Sequence, residues 1–236
     1  MKFIPAMLLL IVASNPLVCS AEKGGLSLSQ TRVIFPGDKD SVSLNVRNSS
    51  SNDIWLLRSW IEEIKDNKKS DTFIVTPPLY RLDPDSNIQL RVNALDVKSL
   101  PTTKESVYYL NVMAIPPEAQ DNYVTRKNST IRFSVTNRIK MFYRPEIIDN
   151  RKSVLQAYGK ITARQQGKKV VLLNSSPYYI TLDGLHINKS DVQKDKDFML
   201  SPDGNLSINY SGKAESISYQ VIDDYGGKTE TYHINL

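Results

Sequence analysis

The side chains able to do covalent or metal chemistry are few and poorly placed for it. His186 and His233 are the two histidines, so any catalytic triad or imidazole metal site would have to use one of them. His233 falls in a terminal alternating stretch and His186 beside a turn, which reads both as ordinary strand or surface residues. No HExxH, GxSxG, P-loop, dinucleotide fingerprint or EF-hand loop occurs. Asp83-Pro84-Asp85 and Asp223-Asp224 gather oxygens, but too few for a Ca²⁺ cage, and both have turn composition. Trp55 and Trp60 share one candidate strand and read as core and surface positions. They make no platform for a sugar, and no paired-carboxylate cleft is evident. The expectation is therefore no catalytic residue, no metal and no cofactor. What remains is the chemistry of binding, in which an Arg or Lys pairs with a carboxylate that has been taken from water. Read singly, a cation in a strand is a solvated-face residue.

The first residues serve a different purpose. Lys2 precedes the apolar stretch Phe3 to Val18, and the small residues Cys19-Ser20-Ala21 follow, the pattern of a secretory signal peptide over residues 1–21. Pro5, Asn15 and Pro16 interrupt the stretch, which is too short for a membrane span, and no later segment is apolar enough. Val18 stands where a lipoprotein signal requires a small residue, which argues against lipidation at Cys19. Cleavage after Ala21 removes the one cysteine, and with it any disulfide or thiolate metal site. The net charge of +5 is spread along an exported chain, so no nucleic-acid footprint is read from it. The Asn-X-Ser/Thr sequons matter only in a glycosylating pathway, and asparagine in turns accounts for most of them.

A composition of 40% hydrophobic and 23% charged residues suits a packed protein of one large or two ordinary domains. Runs of period two recur between Gly, Pro, Asn and Asp punctuation, which points to an all-β chain. Strands are expected at Leu26 to Phe35, Ser41 to Arg47, Ile54 to Ile61, Phe73 to Thr76, Ile88 to Val92, Val107 to Ala114 and Thr130 to Tyr143. These make a first sandwich over residues 22–144. Ile161 to Ala163, Lys169 to Asn174, Tyr178 to Leu182, Leu206 to Tyr210, Ile217 to Ile222 and Thr229 to Ile234 make a second, over residues 145–236. Glycines in Asp223-Asp224-Tyr225-Gly226-Gly227 supply the positive φ of a tight hairpin. Pro145 follows Arg144 with no flexible spacer, so the two domains should meet at a defined angle around a cleft.

Five stretches go beyond generic patterning: Thr31-Arg32-Val33-Ile34-Phe35, Phe73 to Leu79 (FIVTPPL), Asn111 to Pro117 (NVMAIPP), Arg138 to Pro145 (RIKMFYRP) and Asp224-Tyr225-Gly226-Gly227. In this order they resemble the PapD-like periplasmic chaperones of the chaperone–usher pilus pathway, over essentially the whole chain after the leader. The resemblance implies two immunoglobulin-like β-sandwich domains in an L or boomerang arrangement, pilin (fimbrial) subunits as clients, and an outer-membrane usher as the delivery point. It implies that Arg32 and Lys140 bind the client's C-terminal carboxylate. It also implies that Ile131, Phe133 and Val135 are lent to the client's groove by β-augmentation. On periodicity alone those three are the inward face of an ordinary sandwich strand. Glu105, Arg144 and Asp224 match charged residues between the domains, whose other reading is three exposed charges. Lys140 has the opposite parity to the three donated residues, so it should face the other side of a regular strand.

The chain departs from the pattern at Thr103-Lys104-Glu105, where the family often has Asp-Arg-Glu, and in lacking the cysteine pair of the long-loop subclass. The resemblance implies the periplasm, no nucleic acid, no membrane embedding and no enzyme. An unoccupied donor strand leaves self-association open. Two other functions stand beside this one. A pilus subunit or adhesin would show an incomplete sandwich and an N-terminal donor extension, and a carbohydrate-binding or hydrolytic sandwich would need the platform or carboxylates missed above.

Overall fold

A computed structural model describes residues 25–117, 133–193 and 197–236. Among them the N-terminal domain carries β1 (Leu26–Leu28), β2 (Arg32–Pro36), β3 (Ser41–Asn48), β4 (Trp55–Glu63), β5 (Phe73–Thr76), β6 (Leu79–Leu82), β7 (Asn87–Ala94), β8 (Ser106–Ile115) and β9 (Val135–Arg144). They form two sheets, ordered β1-β3-β7-β5 and β2-β9-β8-β4-β6. In β3 the apolar Leu44 and Val46 point inward between exposed Asn45 and Arg47, as half-buried strands do. β8, between β9 and β4, is buried along both faces. The core is aromatic at one end, where Phe73 packs edge-on against Phe35 and Tyr108 at centroid distances of 5.0 and 4.9 Å.

The expected single strand Leu26 to Phe35 is two strands in different layers. β1 pairs with β3, and after Ser29-Gln30-Thr31 the chain crosses to the other sheet, where β2 runs parallel to β9. The expected Thr130 to Tyr143 strand is shorter among the described residues: it begins at Val135, and Phe133 and Ser134 before it are not in strand.

After Pro145 the chain forms a turn of 3-10 helix (Glu146–Ile148) and α1 (Arg151–Tyr158), a helix in a stretch where the sequence reading placed no element. Asn150 caps it by accepting from Ser153 N at 3.0 Å, and Val154, Ala157 and Tyr158 bury one face. β10 (Thr162–Gln166), β11 (Lys169–Leu173) and β15 (Asn205–Asn209) form one sheet. β12 (Ile180–Ile187), β13 (Ser190–Asp191), β14 (Met199–Leu200), β16 (Ser216–Val221) and β17 (Tyr232–Asn235) form the other. Both sandwiches use the same internal clasp. Buried Asn48 donates to the carbonyls of Asp53 and Asp83 and accepts from Ser50 N, while buried Asn174 donates to those of Tyr178 and Ser201 and accepts from Ser176 N. The sequons at those two positions are thus structural asparagines.

The domain junction is short and tight. Gly37 N donates to Arg144 O at 2.7 Å, and a Cβ on Gly37 would lie 2.9 Å from Glu146 N, so only glycine permits this approach. No helix among the described residues is long and apolar enough to cross a membrane.

Candidate functional site

The site grows from the register of β9. Its pairing with β8 is continuous from Val135 opposite Ala114 to Tyr143 opposite Ser106, with no bulge to reset parity. Odd-numbered Met141 and Tyr143 enter the N-terminal core, with Ile139 packed against it. Even-numbered Lys140, Phe142 and Arg144 therefore face the opposite side, toward the second domain. There Phe142, 2% exposed, lies 6.0 Å from the Tyr179 ring.

On its other edge β9 pairs with β2 only from Lys140, opposite Arg32, to Arg144, opposite Pro36. Among the described residues the Val135 to Ile139 half has β8 on one side and no strand on the other. Phe133 and Val135 are 75% and 56% exposed, large apolar side chains standing in water at that edge. Ile131 lies outside the described residues.

Arg32 and Lys140 stand side by side where the open edge ends. Arg32 Nη1 donates to Ile222 O in the second domain at 2.8 Å, and its guanidinium sits 5.8 Å from the Phe142 ring centroid. Burial lowers its pKa, while Tyr158, Asp224, Asp223 and Asp197 pull the other way. Lys140, with 14% of its side chain exposed, forms an ion pair with Asp197 of the second domain. Beside them a cavity of about 510 Å³ opens between the domains, lined in part by Arg32, Ile34, Arg144, Tyr158, Asp223 and Asp224.

Glu105, Arg144 and Asp224 are brought together across the domain gap. Arg144 Nε donates to Glu105 Oε1 at 2.7 Å, and its two terminal nitrogens grip the Asp224 oxygens at 2.8 and 2.9 Å, a fork matched to a carboxylate. Glu105 also accepts from Tyr179 N at 2.7 Å, and its own N–H donates to Pro177 O at 2.9 Å, so it ties the start of β8 to the second domain twice. Burial pushes its carboxyl up to about 7, against the Arg144 charge and the Tyr179 N–H. Burial likewise works to lower the Arg144 pKa, but Asp224 and Glu105 outweigh it and hold it above its ordinary value. The Lys104 that departs from the family pattern pairs separately with Asp203 at 2.8 Å, both half-exposed.

Asp224 is presented by a turn built for the purpose. Asp223 Oδ1 accepts from Tyr225 N and Gly227 N, both at 2.9 Å, and Gly226 adopts φ of 85°. A Cβ on Gly226 would sit 2.1 Å from Thr31 Oγ1, so the turn also touches the residue just before Arg32. The sequence reading missed Thr31, Phe142, Tyr179 and Asp197. Phe142 alone had a signal, since it shares parity with Lys140 and Arg144.

Two immunoglobulin-like sandwiches clamped together over a charged cleft, with an edge of β9 that no described strand covers leading into it, describe a two-domain binding protein. Known families agree. The model for "Pili and flagellar-assembly chaperone, PapD N-terminal domain" matches residues 25–149, and that for "Pili assembly chaperone PapD, C-terminal domain" matches residues 156–233. The chaperone protein LpfB of Salmonella typhimurium is 33% identical over 236 residues, covering 98% of this chain and 96% of its own. The crystal structure of the periplasmic chaperone SfaE is 31% identical with a TM-score of 0.75, covering 90% of this chain and all of its own. The SafB chaperone of Salmonella enterica, solved with the SafA pilin, shares the fold with a TM-score of 0.78 at 24% identity, over 90% of this chain and 96% of that one. The chain belongs to the PapD-like family of pilus assembly chaperones, a family of non-enzymatic proteins.

Proposed function

We propose that this chaperone binds pilin subunits in the periplasm by lending them the Ile131, Phe133 and Val135 edge, anchors their C-terminal carboxylate on Arg32 and Lys140, and delivers them to an outer-membrane usher. In this reading residues 1–21 are a signal peptide, and the working domains are 22–144 and 145–236, held at their angle by Glu105, Arg144 and Asp224. The observation that carries the reading is the register of β2. Because β2 is parallel to β9 and begins opposite Lys140, a strand added to the open edge continues the line of β2 and stops at the two cations. Added parallel to β9, it presents its C-terminal carboxylate there. Added antiparallel, it presents an ammonium to Arg32 and Lys140 and is repelled. Charge thus selects the orientation, and the strand end sets the register.

Phe133 and Val135 supply the apolar part. Full burial of each contributes about 1.5–3 kcal/mol, before the cost of association is deducted. Without a client, the same edge is available to a second copy of the chain.

The reading is tested by tagging the chaperone, expressing it while pili are being made, and identifying co-purifying proteins by mass spectrometry. A pilin should accompany the wild type and be lost with Lys140→Ala or Arg32→Ala while the variants remain folded. Phe133→Asp should weaken the complex more than Ser134→Asp, its neighbour of opposite parity. Normal pilin recovery with the cation variants refutes the anchor, and equal effects at 133 and 134 refute the donated face.

A further inference from the structure

We propose that Asp197 is an internal competitor for the client carboxylate, occupying Lys140 in the empty cleft and leaving it when a client arrives. This rests on the anchoring role of Lys140 given above. Asp197 reaches across from the second domain, two residues before β14, to pair with Lys140. The two partners differ in exposure: 14% of the Lys140 side chain is accessible against 44% of that of Asp197. The cation is held by the cleft, and the anion approaches from the wet side, so Asp197 can withdraw into water at small cost.

The other acidic groups lining the cleft have partners of their own, Asp149 lying 3.6 Å from Arg144 Nη1. Asp223 spends an oxygen on the N–H groups of its own turn, and Asp224 gives both oxygens to Arg144. Arg32 Nε is buried and makes no hydrogen bond among the described residues. The Asp197 charge also acts on Arg32, as one of the anions opposing the effect of burial there. A C-terminal carboxylate has the same chemistry as the Asp197 side chain, so the two are alternatives at Lys140. The exchange leaves Lys140 paired with one carboxylate before and after capture. It also reduces the affinity for every carboxylate ligand by the strength of the internal pair, which favours clients that bury apolar side chains along the edge as well.

The test uses a fluorescent peptide of alternating valine and threonine with a free C-terminal carboxylate, and the same peptide as its amide. Dissociation constants are measured for the wild type, Asp197→Asn, Lys140→Ala, and Asp191→Asn, which makes the same charge change on exposed β13. Asp197→Asn should bind the carboxylate peptide on the order of fivefold more tightly than the wild type, with no gain for the amide and none from Asp191→Asn. If the wild type prefers the carboxylate through Lys140 but Asp197→Asn binds it equally or more weakly, the competitor role is overturned and the anchor stands. If the wild type and Lys140→Ala bind both peptides alike, the anchor itself is overturned, and the competitor role with it.

Discussion

Replacing Arg144 by Met should be among the most damaging single changes in this chain, and the structure shows how to separate the reasons. Arg144 is 6% exposed; its two hydrogen-bonded carboxylates, Glu105 and Asp224, are 1% and 28% exposed, and Asp149 stands further off, 3.6 Å from Nη1 and 34% exposed. Methionine fills much of the arginine stem volume, so the loss is mostly electrostatic. Asp224 can turn toward solvent, whereas Glu105 is left with the Tyr179 N–H and no opposing charge. Removing one member of a buried pair costs about 3–5 kcal/mol, because the remaining charge stays desolvated. At pH 8 we therefore expect a loss of about 4 kcal/mol in urea unfolding, read as a lower midpoint at unchanged slope. Adding Glu105→Gln removes the stranded charge and should restore about 2 kcal/mol of it, since an unpaired buried amide costs less than an unpaired carboxylate. Arg144→Lys should fall between, keeping the charge but losing the fork that holds two carboxylates at once. A double variant no more stable than Arg144→Met would show that lost packing, and not a stranded Glu105 charge, is the cause.

The carboxyl of Glu105 gives a pH prediction of definite sign. Its folded pKa, about 7, lies above the ordinary 4.5, so between those values the folded chain holds a proton that the unfolded chain has released, and stability falls as pH rises through that window. From pH 5 to pH 8 the wild type should lose about 2 kcal/mol relative to Glu105→Gln; a wild type that gains on the variant would show that Arg144, not burial, controls the carboxyl. Gly226→Ala should cost about 1–2 kcal/mol from its positive φ alone, plus the clash with Thr31, and Thr31→Ala should relieve only the second part in thermal unfolding. Asn174→Ala breaks the clasp of the second sandwich and strands the Tyr178 and Ser201 carbonyls, so its urea midpoint should correspond to a loss of about 3 kcal/mol. Asn174→Asp should not rescue it, because a carboxylate cannot donate to those carbonyls.

Most of the sandwich architecture was legible because inward and outward side chains alternate along half-buried strands, as at Leu44, Asn45 and Val46. The crossing between β1 and β2 also had a signal, in that the apolar residues change from even (Leu26, Leu28) to odd (Val33, Phe35) across Ser29-Gln30-Thr31. Helix α1 was missed because it has only eight residues and buries a single narrow stripe, and its stability comes from packing more than from propensity. Arg32 and Lys140 became conspicuous through motif context, since nothing in the spacing of 108 residues between them says that they become neighbours. Their juxtaposition is a product of the parallel β2–β9 pairing. Asp197 carried no signal at all, because an aspartate in a polar connection is ordinary until tertiary structure lays it against Lys140.

One strand, β9, carries both Val135 and Lys140, and this is why these two parts of the proposed site keep their spacing. The odd residues Met141 and Tyr143 are locked in the N-terminal core, the even residue Phe142 against Tyr179, and Arg144 against Glu105 and Asp224. These contacts fix the C-terminal half of β9 before any client is present. Continuous pairing with β8 carries that register without a break back to Val135. The distance from Lys140 to Val135 is therefore a property of the folded chain itself. On the proposed reading, a client strand that seats its carboxylate at Lys140 would have its groove brought opposite Val135 and Phe133, and a strand one residue out of step would meet the polar residues of opposite parity instead.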